Sequence, residues 1–223
     1  MHSAAAPADF ERKLEAALAR FEGSSPVTGM IRYHFESGAD RVCARLVLAA
    51  CIEEGGDPAA ALDAACAVEI VHVYARVHLD IAAGRRSPDG RAAVWERFGL
   101  AHGINTGDAL CTLGYLTLLT RERPAGQTAA MTRVLHAANF AMCAAQSRDP
   151  EAMEDDYTVT WGKTALIGAA CELGAIAANA EPKRAQAYGE LGAALHAGAG
   201  AADAVPNAHG IDRGGRVRGA AAR

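Results

Sequence analysis

The sequence has few aromatic residues, no excess of basic charge, no paired cysteines and no long apolar run. Aromatics make up 5% of it, and β-branched runs bounded by turn residues are nearly absent, which argues against a domain built on sheets. Lys and Arg number 22 against 26 Asp and Glu, a net charge of −4, so the basic field that a nucleic-acid binder needs is missing. The six cysteines (Cys43, Cys51, Cys66, Cys111, Cys143 and Cys171) stand singly, without a C-x-x-C pair or the spacing of a disulfide scaffold. In a reducing compartment they read as small buried hydrophobes rather than as metal or disulfide partners. No stretch reaches the roughly 18 uncharged apolar residues that predict a membrane span. The opening residues lack a basic segment followed by an apolar one, so no secretory signal is expected and the cytoplasm is the expected compartment. No repeat recurs at a fixed period.

What is present is alanine, and with it helix. Of the 223 residues 51% are hydrophobic, too many for a disordered chain and enough for one core. Phe10, Leu14, Ala17, Leu18 and Phe21 follow helical spacing with Arg and Glu between them, and Ser24-Ser25-Pro26 breaks that helix. A second helix is expected from about Gly38 to Gly55, and a long one from Pro58, suited to a first helical turn, to about Ala83. Residues 84–90 read as a polar loop. Further helices are expected over 91–103, 106–121, 126–147, 151–179 and 182–204, with Pro124, Pro150 and Pro182 between them. The expected architecture is a single all-α bundle over 1–205, packed through small residues. A Gly- and Arg-rich tail over 206–223, with Arg213, Arg216 and Arg218, is expected to be disordered.

The informative helix is 58–83. Glu69, His72 and Arg76 share one face of it. A Glu-x-x-His on a bundle helix is half of a di-metal carboxylate site, but the second copy that such a site requires is absent from the chain. The alternative is a buried polar cluster that ties helices together through hydrogen bonds.

The order of motifs along the chain resembles the trans-isoprenyl diphosphate synthases, the polyprenyl synthetase family. Gly38-Ala39-Asp40-Arg41-Val42-Cys43 stands where that family has a G-G-K-R-L-R loop. Gly55-Gly56-Asp57-Pro58 follows, then Glu69-x-x-His72 and His78-x-Asp80, Trp95-Glu96-Arg97-Phe98-Gly99, and Asn105-Thr106-Gly107-Asp108. Gln146-x-x-Asp149, Tyr157, Lys163-Thr164 and Leu173-Gly174-Ala175 complete the series. The resemblance covers roughly residues 30–203. It implies an isoprenoid-synthase helical bundle, shortened at its C-terminus, and a role in joining isopentenyl diphosphate to an allylic diphosphate. It assigns Lys163, Thr164 and Asp80 to catalysis, and Arg41, His72, Tyr74, Asp108, Gln146 and Asp149 to substrate binding. His72 and His78 read first as interior hydrogen-bonded histidines. Tyr74 either limits the length of a bound prenyl chain or fills core space.

The departures from the family carry the functional expectation. The family holds Mg²⁺ on two D-D-x-x-D motifs, because a hard cation around a diphosphate needs several oxygen ligands. Here the first motif reads Leu79-Asp80-Ile81-Ala82-Ala83, and the second keeps only Asp203. The resemblance thus implies Mg²⁺ at Asp80, and the loss of the other carboxylates argues against it. In the isopentenyl-diphosphate loop, Asp40 replaces Lys and Cys43 replaces Arg, which leaves Arg41. The expectation is a family member impaired in Mg²⁺-dependent elongation that acts as a non-catalytic or regulatory subunit. It would form a homodimer, or a heterodimer with an active prenyl synthase. The alternatives are an active prenyltransferase or terpene-synthase-like enzyme on a short prenyl diphosphate, and a prenyl-ligand carrier.

Overall fold

The computed structural model describes residues 8–23, 25–36, 41–86, 90–147 and 157–199; of residues 146, 157–163 and 199 it describes the backbone alone. The expected tail 206–223, Asp40, Asp89, Asp149 and Asp203 lie outside the described residues. In chain order the helices are α1 (Ala8–Ala19), α2 (Pro26–Phe35), α3 (Val42–Glu53), α4 (Leu62–Ala82), α5 (Val94–Phe98), α6 (Leu100–Leu118), α7 (Ala125–Gln146), α8 (Tyr157–Ala177) and α9 (Pro182–Ala199). A 3₁₀ turn, Pro58–Ala60, precedes α4. There is no strand among the described residues, as the alanine-rich, aromatic-poor composition predicts. None of these helices is long and apolar enough to cross a membrane.

Three boundaries differ from the sequence reading, each for a local reason. Ser25 does not only end a helix; it starts one. Its hydroxyl accepts the Val27 N–H at 3.4 Å, Pro26 occupies the first turn, and Met30 and Ile31 turn inward to the core. The expected helices 91–103 and 106–121 are instead divided at Gly99, whose backbone at φ 95° excludes residues with a side chain. Gly103, expected to end the first of these helices, lies inside α6, which approaches Trp95 too closely there for a Cβ. Pro58 begins the 3₁₀ turn, where Asp57 caps the Ala59 N–H at 2.9 Å, and α4 starts only at Leu62.

The bundle is organised around α4, which buries 15 of its 21 residues. It packs on α6, α3, α1, α7 and α8. Phe10 and Leu14 of α1, Val47 of α3, Leu110 of α6, Leu135 of α7 and Leu173 of α8 are fully buried around it. The close approach of α6 uses Gly107 and Gly114: a Cβ at Gly107 would overlap the His78 ring, and one at Gly114 would stand 2.7 Å from Val71. Likewise a Cβ at Gly174 of α8 would overlap the Val47 carbonyl of α3.

Three carboxylates of α4 are buried, Asp63, Glu69 and Asp80. Each meets an arginine from another segment. Asp63 faces the two-nitrogen fork of buried Arg123, with Nη2 donating to Oδ1 at 2.6 Å and Nη1 2.5 Å from Oδ2 as an ion pair, and Arg123 also donates to the carbonyls of Ala60 and Leu118 at 3.2 Å. Arg41 stands 3.9 Å from Glu69 and Arg85 4.0 Å from Asp80.

Two stability predictions follow from this packing. Arg123→Met leaves a buried carboxylate unpaired and is expected to cost about 3–5 kcal/mol in urea unfolding; a loss below about 1 kcal/mol would contradict the fork. Gly174→Ala gains about 1 kcal/mol of helix propensity yet is expected to lower net stability by on the order of 1 kcal/mol, since a backbone carbonyl must yield.

Candidate functional site

Along α4, at about 100° of rotation per residue, Glu69, His72, Arg76 and Asp80 form one stripe. Tyr74 and His78 fall on the opposite side of the same helix. The residues singled out by the sequence therefore separate into three groups.

The first group lies where α4 faces the start of α3. Glu69 is buried; its Oε2 accepts the Ala44 N–H at 3.4 Å, and its Oε1 lies 3.9 Å from the Arg41 guanidinium. Arg41 also reaches Glu11 at 3.3 Å and sits over the Phe35 ring, 5.4 Å from its centroid. These contacts hold it in the left-handed backbone region (φ 50°, ψ 37°) at the entrance to α3, a conformation that costs a residue with a side chain about 1–3 kcal/mol. The arginine that the resemblance assigns to substrate binding is thus engaged by two carboxylates of its own chain. The polar cluster expected for Glu69 and His72 is present, and it ties α3 to α4. Cys43, in the first turn of α3, completes it: one ligand atom from each of Cys43, Glu69 and His72 lies within 4.8 Å of the other two. In the sequence the cysteines read as buried hydrophobes, and nothing there pairs Cys43 with these residues. Only the helix packing brings it there, since spacing within α4 says nothing of what α3 presents.

The second group lies at the C-terminal end of α4. Asp80 is buried, and its carboxylate faces Arg85 at 4.0 Å. The chain is turned back here by the Arg85 N–H, which donates to the Asp80 carbonyl at 2.8 Å, and by Trp95 Nε1, which donates to the Arg85 carbonyl at 2.8 Å. Mg²⁺ does not fit these described residues. One carboxylate beside a guanidinium is a poor site for a hard dication, which needs several oxygens, and among the described residues Asp80 belongs to no group of three or more clustered His, Cys, Asp or Glu side chains.

The third group faces α6 and α7. The Tyr74 hydroxyl and the Cys143 thiol share a hydrogen bond at 2.9 Å, and the Tyr74 ring meets the His78 ring edge-on, centroids 5.1 Å apart. Burial, then this hydrogen bond, raise the Tyr74 hydroxyl well above the ordinary tyrosine range. His78 Nε2 lies 3.2 Å from the Ile104 carbonyl and 3.8 Å from Asp108, whose carboxylate is largely exposed on the outer side of α6. His78 is thus the hydrogen-bonded histidine that the sequence suggests. Thr164 is half-buried on α8. Lys163 and Gln146 belong to α8 and α7 by their backbones, but their side chains, and all of Asp149, lie outside the described residues.

Burial raises the Glu69 carboxyl above its ordinary 4.5, and Arg41 and the Ala44 N–H oppose this only in part. A carboxyl raised in the folded state binds its proton more tightly there than in the unfolded chain. Its stabilising contribution is therefore complete below 4.5 and is lost as pH rises through the folded value. Relative to the parent, Glu69→Gln is expected to gain stability across that rise and then level off. Urea unfolding of both proteins as a function of pH measures it, and a difference that stays flat or runs the other way contradicts the assignment.

The comparisons with known proteins agree with this architecture. A geranylgeranyl diphosphate synthase of Mycobacterium tuberculosis is 38% identical over 148 residues, which is 62% of this chain and 41% of that protein. A (2E,6E)-farnesyl diphosphate synthase of the same species is 33% identical over 141 residues, 60% of this chain and 39% of that protein. The chain thus matches less than half the length of these two curated relatives. The crystal structure of geranylgeranyl pyrophosphate synthetase from Pyrococcus horikoshii superposes with a TM-score of 0.75 at 23% identity, over 84% of this chain and 61% of that one. The sequence profile described as polyprenyl synthetase matches residues 25–197, most of the chain and all of the helices from α2 to α8, so this chain belongs to the polyprenyl synthetase family.

Proposed function

We propose that this chain is a non-catalytic or regulatory subunit of a prenyl diphosphate synthase, impaired in Mg²⁺-dependent chain elongation. It acts in the cytoplasm, as a homodimer or as a heterodimer with an active prenyl synthase. The observation that carries the reading is the setting of Asp80: among the described residues it is a buried carboxylate facing Arg85 and in no cluster of acids, where elongation calls for several around metal and diphosphate. Two further features support it. Arg41, retained from the diphosphate loop, is engaged by Glu11 and Glu69. Tyr74 closes onto Cys143, occupying space between α4 and α7 where a prenyl chain would otherwise extend.

A partner role draws support from α6. Leu100, Ile104 and Leu116 of this helix, and Leu119 just after it, are exposed. Beside Leu116 lies an apolar groove of about 420 Å³ between α1, α2 and α6, lined by Leu18, Phe21, Val27, Ile31 and Leu113. Exposed leucine and isoleucine side chains on one helix favour a second helical surface over water.

The test is a product assay of the purified chain with Mg²⁺, isopentenyl diphosphate and dimethylallyl, geranyl or farnesyl diphosphate, with and without an intact synthase. The expected outcome is no product from the chain alone, together with a changed product length when the synthase is added. A longer prenyl diphosphate made by the chain alone would overturn the reading. A released hydrocarbon or alcohol would replace it with terpene-synthase-like chemistry, and a lipid carried through purification without any effect on the synthase would replace it with a carrier role.

A further inference from the structure

Among the described residues, one group of three side chains has the donors and the proximity to hold a metal ion: Cys43, Glu69 and His72. We propose that these three form a site for a divalent transition-metal ion of the zinc class, open at its fourth position. The site lies on the α3–α4 face, apart from Asp80, and stands whether or not the subunit reading holds.

The donor chemistry selects the ion. A thiolate and an imidazole suit zinc, cobalt or nickel, and a carboxylate completes such a set, whereas a thiolate is a poor ligand for magnesium or calcium. The geometry is close to what that ion requires. With bonds of about 2.0 Å to nitrogen or oxygen and about 2.3 Å to sulfur, tetrahedral ligand atoms stand about 3.3–3.6 Å apart. The three atoms here lie within 4.8 Å of one another. Drawing them in by up to about 1.5 Å takes small side-chain rotations within ordinary rotamer wells. Glu69 and His72 are one turn apart on the most buried helix of the bundle, and Cys43 is fixed in the first turn of α3, so the backbone holds all three in place.

The surroundings provide the rest of a metal site. The Ala44 N–H donates to Glu69 Oε2, an outer hydrogen bond that orients the carboxylate and leaves Oε1 for the ion. Arg41 is the competitor, 3.9 Å from Oε1. Its guanidinium has Glu11 and Phe35 as further partners, so it keeps a charge partner when the ion takes Oε1. Cys43 and Glu69 are buried, while His72 is half-buried and leaves a path to solvent for the ion and for a fourth ligand. On binding, the Cys43 thiol gives its proton to solvent and its sulfur bonds the ion. Thiolate and carboxylate then neutralise the two positive charges.

The test uses the full chain, reduced, stripped of metal with a chelator and titrated with Co²⁺. The expected result is one equivalent bound, with a thiolate-to-cobalt charge-transfer band and the intense d–d bands of a four-coordinate ion. Cys43→Ser is expected to remove the charge-transfer band, and His72→Gln to weaken binding by about tenfold or more. Cys111→Ser and Cys143→Ser are expected to keep both signals. X-ray absorption of the zinc-loaded parent, which needs no variant to fold, is expected to give one sulfur and lighter nitrogen or oxygen neighbours. No uptake, a coordination shell without sulfur, or a charge-transfer band that survives Cys43→Ser would each overturn the proposal.

Discussion

A helix surrounded by protein can carry charge only where the fold brings an opposite charge to it, and α4 carries three such charges. Asp63, Glu69 and Asp80 are each met by an arginine from a different stretch of chain: Arg123 before α7, Arg41 before α3, and Arg85 after α4. Burying an ion pair offers little net stability compared with an apolar contact, but removing one member is severe. The three pairs therefore act mainly as constraints on where those segments lie. They also differ in closeness. Asp63 and Arg123 are in direct hydrogen-bond contact, whereas the other two pairs stand near 4 Å. The tightest pair lies at the N-terminal end of α4, and the two looser ones line the stripe that carries the candidate site.

This division gives α4 two roles along one length of chain. The stripe of Glu69, His72 and Asp80 meets cationic segments and the thiol of α3, and it is where ligand chemistry can occur. The opposite side, through Tyr74 and His78, is committed to α6 and α7 by a sulfur–hydroxyl hydrogen bond, an aromatic contact and a carbonyl contact. The family fold is kept, while Arg41 and Tyr74, two of the residues that the resemblance assigns to substrate, have partners within the chain itself.

Much of this was legible in the sequence, and what was not has a common cause. The all-helical class follows from alanine and apolar spacing. The shared face of Glu69 and His72 follows from helical arithmetic, and the family follows from the order of short motifs. What escaped were features fixed between segments. Gly99 rather than the neighbourhood of Asn105 divides α5 from α6, because the turn there requires a backbone that only glycine adopts readily. The α2 helix was hidden because Ser25-Pro26 reads as a stop as easily as a start. That Arg41 would turn to Glu69, and that Cys43 would join Glu69 and His72, depended on the angle at which α3 crosses α4. No local pattern encodes that angle.

The glycines of α6 have a mechanical consequence. At Gly107 the His78 ring occupies the space a side chain would fill, and at Gly114 Val71 does the same. Sliding α6 along α4 toward its next turn would drive Leu110 or Cys111 into that ring, so the two helices are keyed together and move as a single body. The short helix α5 belongs to the same unit, since it packs on both α4 and α6. The Asp80 end of α4, with Trp95 of α5 clasping the turn beside it, is therefore held to that same body.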